Sequence, residues 1–78
     1  MKKYEFTDET KKYRGKILHR IRAVRNFNGV KKGQPGGFIE SEDNLSHDGN
    51  AWICSNAEVY GSARVYGDVL VGNTGARK

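Results

Sequence analysis

Residues 50–72, NAWICSNAEVYGSARVYGDVLVG, repeat at intervals of six. Ala51, Ala57, Ala63 and the larger Val69 occupy one slot, and Ile53, Val59, Val65 and Val71 recur two positions later. A helix returns apolar residues every three or four positions and a plain strand every second, so this period fits neither. It fits a β-solenoid, in which each six-residue unit lays down one flat face and then turns a corner. Small Ala and branched aliphatic side chains fill a narrow prism, while Ser, Asn, Gly and Asp stand at the corners where turns are needed. About four hexads are present (NAWICS, NAEVYG, SARVYG and DVLVGN) before the pattern lapses, with Gly75 in the Ala slot and Arg77 in the aliphatic slot. Thr74 to Lys78 reads as a frayed tail.

The chain has 78 residues, one small domain, and chains of this size bury only about 60% of their unfolded surface. They usually add a disulfide, a metal or a partner. A single cysteine, Cys54, excludes an internal disulfide, and His19, His47 and Cys54 lack zinc-site spacing. A free thiol fits a reducing compartment, and Cys54 reads as a repeat-slot residue rather than a reactive one. An oligomer is left as the expected source of extra buried surface. No apolar run approaches the ~20 residues of a membrane span. The polar stretch after Tyr4 stops Met1-Lys2-Lys3 from opening a signal peptide. The expectation is a cytoplasmic protein with no cofactor.

Charge divides the chain in two. Residues 1–33 carry 11 of the 14 Lys+Arg and 3 of the 9 Asp+Glu, a balance of +8, whereas residues 34–78 come to −3. The basic half is either a solvated face or a docking surface for phosphate or another anionic partner.

Upstream of the hexads, Tyr4 to Thr7 alternates as a short strand and Asp8 to Lys12 reads as a polar turn region. Tyr13 to Val24, interrupted by Gly15, is the strongest ordinary strand, with Ile17, His19, Ile21 and Ala23 on one face. Helical spacing of Ile17, Arg20, Ile21 and Val24 is the competing reading, disfavoured by three β-branched residues. Asn28-Gly29 and the run Lys31 to Gly37 are turn signals. Phe38 to Glu40 is a short strand, and Ser41 to Asn50 a loop with Leu45 tucked inward.

Three stretches sharpen the picture: Leu18-His19-Arg20-Ile21-Arg22-Ala23, Gly36-Gly37-Phe38-Ile39-Glu40, and Asn44-Leu45-Ser46-His47-Asp48-Gly49-Asn50-Ala51-Trp52-Ile53. With the hexads, they resemble the N-terminal part of bacterial and prophage proteins in the hexapeptide-repeat, left-handed β-helix superfamily, often labelled acyltransferase-like. The resemblance implies an all-β fold, with a short β-sheet cap followed by roughly one coil of left-handed β-helix. Residues 1–49 would be the basic cap, 50–73 the coil and 74–78 the tail. Acyltransferases of this kind resemble one another in having a donor groove several coils long and a histidine base on an extruded loop. Both histidines here precede the repeats, so neither is carried over as catalytic.

Two sets of residues are candidate contact sites. Lys16, Arg20, Arg22, Arg25, Lys31 and Lys32 form the basic set for a partner or nucleic acid. Arg20 and Arg22 share a strand face about 7 Å apart, close to phosphate spacing. They could equally line solvent or pair with Glu40 and Glu42. Tyr60, Arg64, Val65, Tyr66 and Leu70 form the self-association set, since the last strands present open backbone groups that must be covered or paired. Tyr60 and Tyr66 could instead stack a base or simply cover prism edges. His47, beside Asp48, reads as a structural hydrogen-bonding histidine rather than an acid–base residue, and no metal site is expected.

The expected function is a small non-enzymatic binding or inhibitory protein, phage- or prophage-encoded on the family context. It would self-associate through its coil, a dimer being favoured, and block a host defence machine such as a nucleic-acid-guided nuclease complex, in the manner of an anti-CRISPR. Its partner would be a host protein or ribonucleoprotein, or nucleic acid. The alternatives are an acyltransferase-like remnant that binds an acyl-donor nucleotide, its base His47 from a neighbouring copy, and a protein that captures a nucleotide signal.

Overall fold

A computed structural model describes residues 2–72, so Met1 and the expected tail lie outside the described residues. The described chain is nearly all β. Its strands are β1 (Tyr4–Tyr13), β2 (Lys16–Ala23), β3 (Pro35–Ile39), β4 (Trp52–Ile53), β5 (Glu58–Val59) and β6 (Leu70–Val71), with one 3-10 turn at Glu42–Asn44.

Strands β1 and β2 form an antiparallel hairpin closed at Tyr13↔Lys16. Arg14 and Gly15 both take positive φ, 52° and 82°, the twist that a two-residue hairpin turn requires. This corrects the reading of Asp8 to Lys12 as a turn, and the competing helix over Tyr13 to Val24 is not formed. The polar stretch stays extended because it pairs with β2, the register shifting between Phe6 and Thr10. That bulge sets three residues of β1 opposite Arg20 alone. Bulges of this kind bend a strand and blunt its free edge. Asn28-Gly29 makes the expected turn, also with two positive φ values, between the bridged pair Phe27 and Val30.

Beyond β2 the pairing changes direction. Strand β3 is antiparallel to β2 and parallel to β5, giving the sheet order β1-β2-β3-β5. Three parallel pairings then follow one another: Phe38-Ile39 with Glu58-Val59, Leu45 with Val65, and Trp52-Ile53 with Leu70-Val71. An inner rung (residues 38–54) thus lies beneath an outer rung (residues 57–71). Inner amides of Phe38, Ser46, Trp52 and Cys54 donate to outer carbonyls of Ala57, Val65, Val69 and Val71 at 2.7–3.0 Å. The stretch Ser41 to Asn50 is therefore not merely a loop; Leu45, fully buried, is one side of the inner rung.

Two devices allow the rungs to close. Gly36 and Gly37 lie so near Trp52, Ile21 and the Ile53 and Ala57 carbonyls that no Cβ would fit at either position. Asn44, fully buried, uses its side chain where the backbone ladder is interrupted. Its Oδ1 accepts from the amides of Glu40 and Ser41, and its Nδ2 donates to the carbonyls of Gly61 (3.2 Å) and Ala63 (2.8 Å). The core between hairpin and rungs holds Tyr4, Ile21, Phe27, Ile39, Leu45, Trp52 and Ile53. Lys3 is also buried: its Nζ donates to the carbonyls of Ala51 (2.7 Å) and Gly49 (3.2 Å), closing the N-terminal side.

Candidate binding surfaces

The hexad slots differ sharply between rungs. Ala51 and Ile53 are fully buried, whereas Val69, in the same slot as Ala51, is 52% exposed. Tyr66 and Leu70 on the outer rung are 66% and 60% exposed, and Ala63 is exposed as well. β5 and β6 are the last strands of their sheets among the described residues. The outer rung therefore carries an apolar end with free strand edges, a surface that ordinarily pairs or is covered. Of the expected self-association set, Tyr66, Arg64 and Leu70 are exposed on this rung. Tyr60 is half-buried, its ring centroid 5.3 Å from that of Tyr13, and Val65 is buried over Leu45.

The basic set is scattered rather than gathered. Arg20 is corrected from a docking residue to an internal tie. Its guanidinium donates to Glu9, to the carbonyls of Gly36 and Ser55 and to Asn56, while its carbon lies 4.3 Å from the Phe38 ring centroid. Only 16% of its side chain is exposed, because the β1 bulge brings Glu9 across to it. Lys16 lies 3.7 Å from Glu40, and Arg25 lies half-buried over Phe27. Arg22 pairs with Glu5, not with Glu42. Arg22 and Lys32 nevertheless share one open groove of about 610 Å³, lined also by Glu5, Ala23, Val24 and Gly33. Lys31 lines a separate hollow at the Asn26–Val30 turn.

His47 belongs to a cluster that sequence reading underrated. Its Nδ1 accepts from the Lys3 amide at 3.1 Å, which assigns the ring proton to Nε2, 2.8 Å from Glu42 Oε1. The imidazole stacks on Tyr4 at 4.0 Å between centroids. This hydrogen bond to His47, then Lys2, holds the Glu42 carboxyl below its usual range. Burial, then the charges of Glu42 and Asp43, pushes the Tyr4 phenol up. Burial and Arg25 lower the Lys3 amine. With Nδ1 occupied by a backbone amide, His47 is not free to take a substrate proton. His19 stacks on Phe6 instead. Among the described residues no group of His, Cys, Asp and Glu could hold a metal. No helix among them is long and apolar enough to cross a membrane.

No family model matches the chain. The chain is similar to a named acetyltransferase. That relative is the uncharacterized acetyltransferase YdcK of Escherichia coli (strain K12), 31% identical over 83 residues, an alignment covering 95% of this chain. The chain spans about a quarter of that protein's length, 26%. The match corrects the expectation of a non-enzymatic protein, since the relative is named as an enzyme.

Proposed function

We propose that the chain forms a capped end and the coils stacked on it in an acyltransferase-like β-solenoid, the coils left-handed, and helps to hold an acyl-donor nucleotide beside the outer rung. One observation carries this reading: three successive parallel pairings lie within a segment similar over nearly its whole length to an acetyltransferase. In this reading the hairpin is the cap, and the coil starts at Gly36, ahead of the first hexad. The exposed Tyr66 and Leu70 offer a flat ring and an aliphatic contact to a nucleotide donor. Cys54, a free thiol, is compatible with a cytoplasmic setting.

Calorimetric titration with acetyl-coenzyme A, with adenosine triphosphate as control, tests this directly. Saturable heat is expected with the acyl donor and its loss in Tyr66→Ala. Absence of heat with acetyl-coenzyme A would exclude the acyl-donor reading.

A second reading draws on the groove between Arg22 and Lys32. Among the described residues the only acid lining it is Glu5, engaged with Arg22 in an exposed pair, and such pairs contribute little. An incoming phosphate can replace that carboxylate. Titration of a fluorescent single-stranded oligonucleotide at two salt concentrations checks it: binding should weaken with salt and vanish in Arg22→Glu. Affinity unchanged by that substitution would dismiss the groove.

A further inference from the structure

The outer rung matches itself under a two-fold axis. Two triangular prisms meet end to end when an axis perpendicular to the prism passes through the middle of one side. That operation reverses strand direction, so the facing edges pair as antiparallel strands, and it exchanges the two remaining sides. The hexad repeat fits this operation closely. With the axis at Val65, the centre of the middle side, Val59 and Val71 are each six residues away. Val65 then faces its own copy, and Val59 faces the partner's Val71. The same register sets Leu70 opposite the partner's Tyr60 and Arg64 opposite the partner's Tyr66.

Charge follows the same symmetry. Arg64 is exposed and has no ion pair among the described residues. The partner's Asp68, exposed at the corner two residues beyond the partner's Tyr66 and accepting from its own Asn50 through Oδ1 at 3.3 Å, falls within reach of a long side chain. Each interface would thus hold two Arg64–Asp68 pairs flanking the axis, each beside a tyrosine face able to receive the guanidinium. The exposed Val69 and Ala63 would be covered in the same step.

We infer that two copies of this chain associate end to end through their outer rungs, in an isologous dimer centred on Val65 and fixed in register by reciprocal Arg64–Asp68 pairs. This rests on the stacked-coil part of the functional reading and not on acyl-donor binding. Multi-angle light scattering at micromolar concentration reads the outcome. The wild-type chain, 8.7 kDa, is expected at twice that mass, and Val69→Asp at the single-chain mass with unchanged circular dichroism. Arg64→Asp and Asp68→Arg should each weaken the dimer at least tenfold, and the combined swap Arg64→Asp/Asp68→Arg should restore it. A monomeric wild type would overturn the dimer. A dimer indifferent to both single charge reversals, or not rescued by the swap, would overturn this register and point to a different contact. Because the interface would cover Tyr66 and Leu70, the donor is titrated into the monomeric Val69→Asp: failure of acetyl-coenzyme A to bind there would remove the donor reading and leave the interface standing.

Discussion

Arg20 lies over the ring of Phe38, its guanidinium carbon 4.3 Å from the ring centroid, while the same group donates to the carbonyls of Gly36 and Ser55. One strand-borne cation thereby joins the hairpin to the start of the inner rung and to the corner before the outer one. Lys11 covers the same ring at 4.7 Å and pairs with Glu58 at 2.7 Å. The basic half of the chain is thus partly consumed in holding the acidic half, which is why the large charge difference along the sequence does not become one continuous basic face.

Gly36 is, with Gly37, one of the two tightest points of the fold. A Cβ there would stand 2.6 Å from Trp52 Cζ2 and 2.8 Å from the Ile53 carbonyl oxygen, and backbone cannot retreat as a flexible side chain can. Gly36→Ala should cost about 1–3 kcal/mol or more, read as a lower urea midpoint with an unchanged slope. A midpoint matching wild type would mean that β3 and β4 are not so closely packed.

Asn44 substitutes for ladder bonds at the corner between β3 and the buried Leu45. Asn44→Asp keeps acceptors for the Glu40 and Ser41 amides but places an oxygen against the Gly61 and Ala63 carbonyls. Losing both donors and gaining repulsion should destabilise by about 3 kcal/mol. Thermal melting that ranks Asn44→Asp no lower than Asn44→Gln would contradict that account.

The Glu42–His47 contact sets a limb of the acid response. The folded carboxyl titrates below its unfolded value, so its contribution is full above that value, 4.5, and is lost as pH falls through the folded one. Glu42 is well exposed, and the effect is correspondingly small. Urea midpoints recorded between pH 6 and pH 3 should fall less steeply in Glu42→Gln than in wild type. Parallel curves would remove the pair from the acid response.

Tyr4 governs the alkaline limb with the opposite sign. Its hydroxyl donates to the Leu45 carbonyl, and its folded value is raised above the ordinary 10.0. Unfolded chains release this proton first, so stability should fall as pH climbs past that value. Tyr4→Phe should flatten the decline while costing about 1–3 kcal/mol at neutral pH for the orphaned carbonyl. An alkaline limb as steep as wild type would assign the effect to another group.

The hexads were readable because Ala51, Ile53, Ala57, Val59 and Val65 each fill a slot and are buried there, whereas Ala63 and Val69, in the same slot as Ala51 and Ala57, are exposed. The inner rung was not readable, because Ile39 and Leu45, though six residues apart, stand out of phase with the hexads: eight residues separate Leu45 from Ile53. Asn44 and a 3-10 turn do there what corner residues do in the hexads. Asp8 to Lys12 looked like a turn because an edge strand bordered by solvent needs no apolar alternation; its pairing with β2 is set by the Arg14-Gly15 turn. Arg20 looked available because nothing in a linear sequence shows that a bulge will deliver Glu9 to it. Lys3 carried no signal at all, since its burial depends on carbonyls 46 and 48 residues away.

Amide hydrogen exchange, residue by residue, probes the stacked rungs most directly. We expect slow exchange at Phe38, Ser46, Trp52 and Cys54, whose amides donate to outer-rung carbonyls, with protection comparable to that of Ile21 and Leu18 in the hairpin. Fast exchange at Ser46, Trp52 and Cys54 beside a protected hairpin would show that the outer rung does not lie on the inner one.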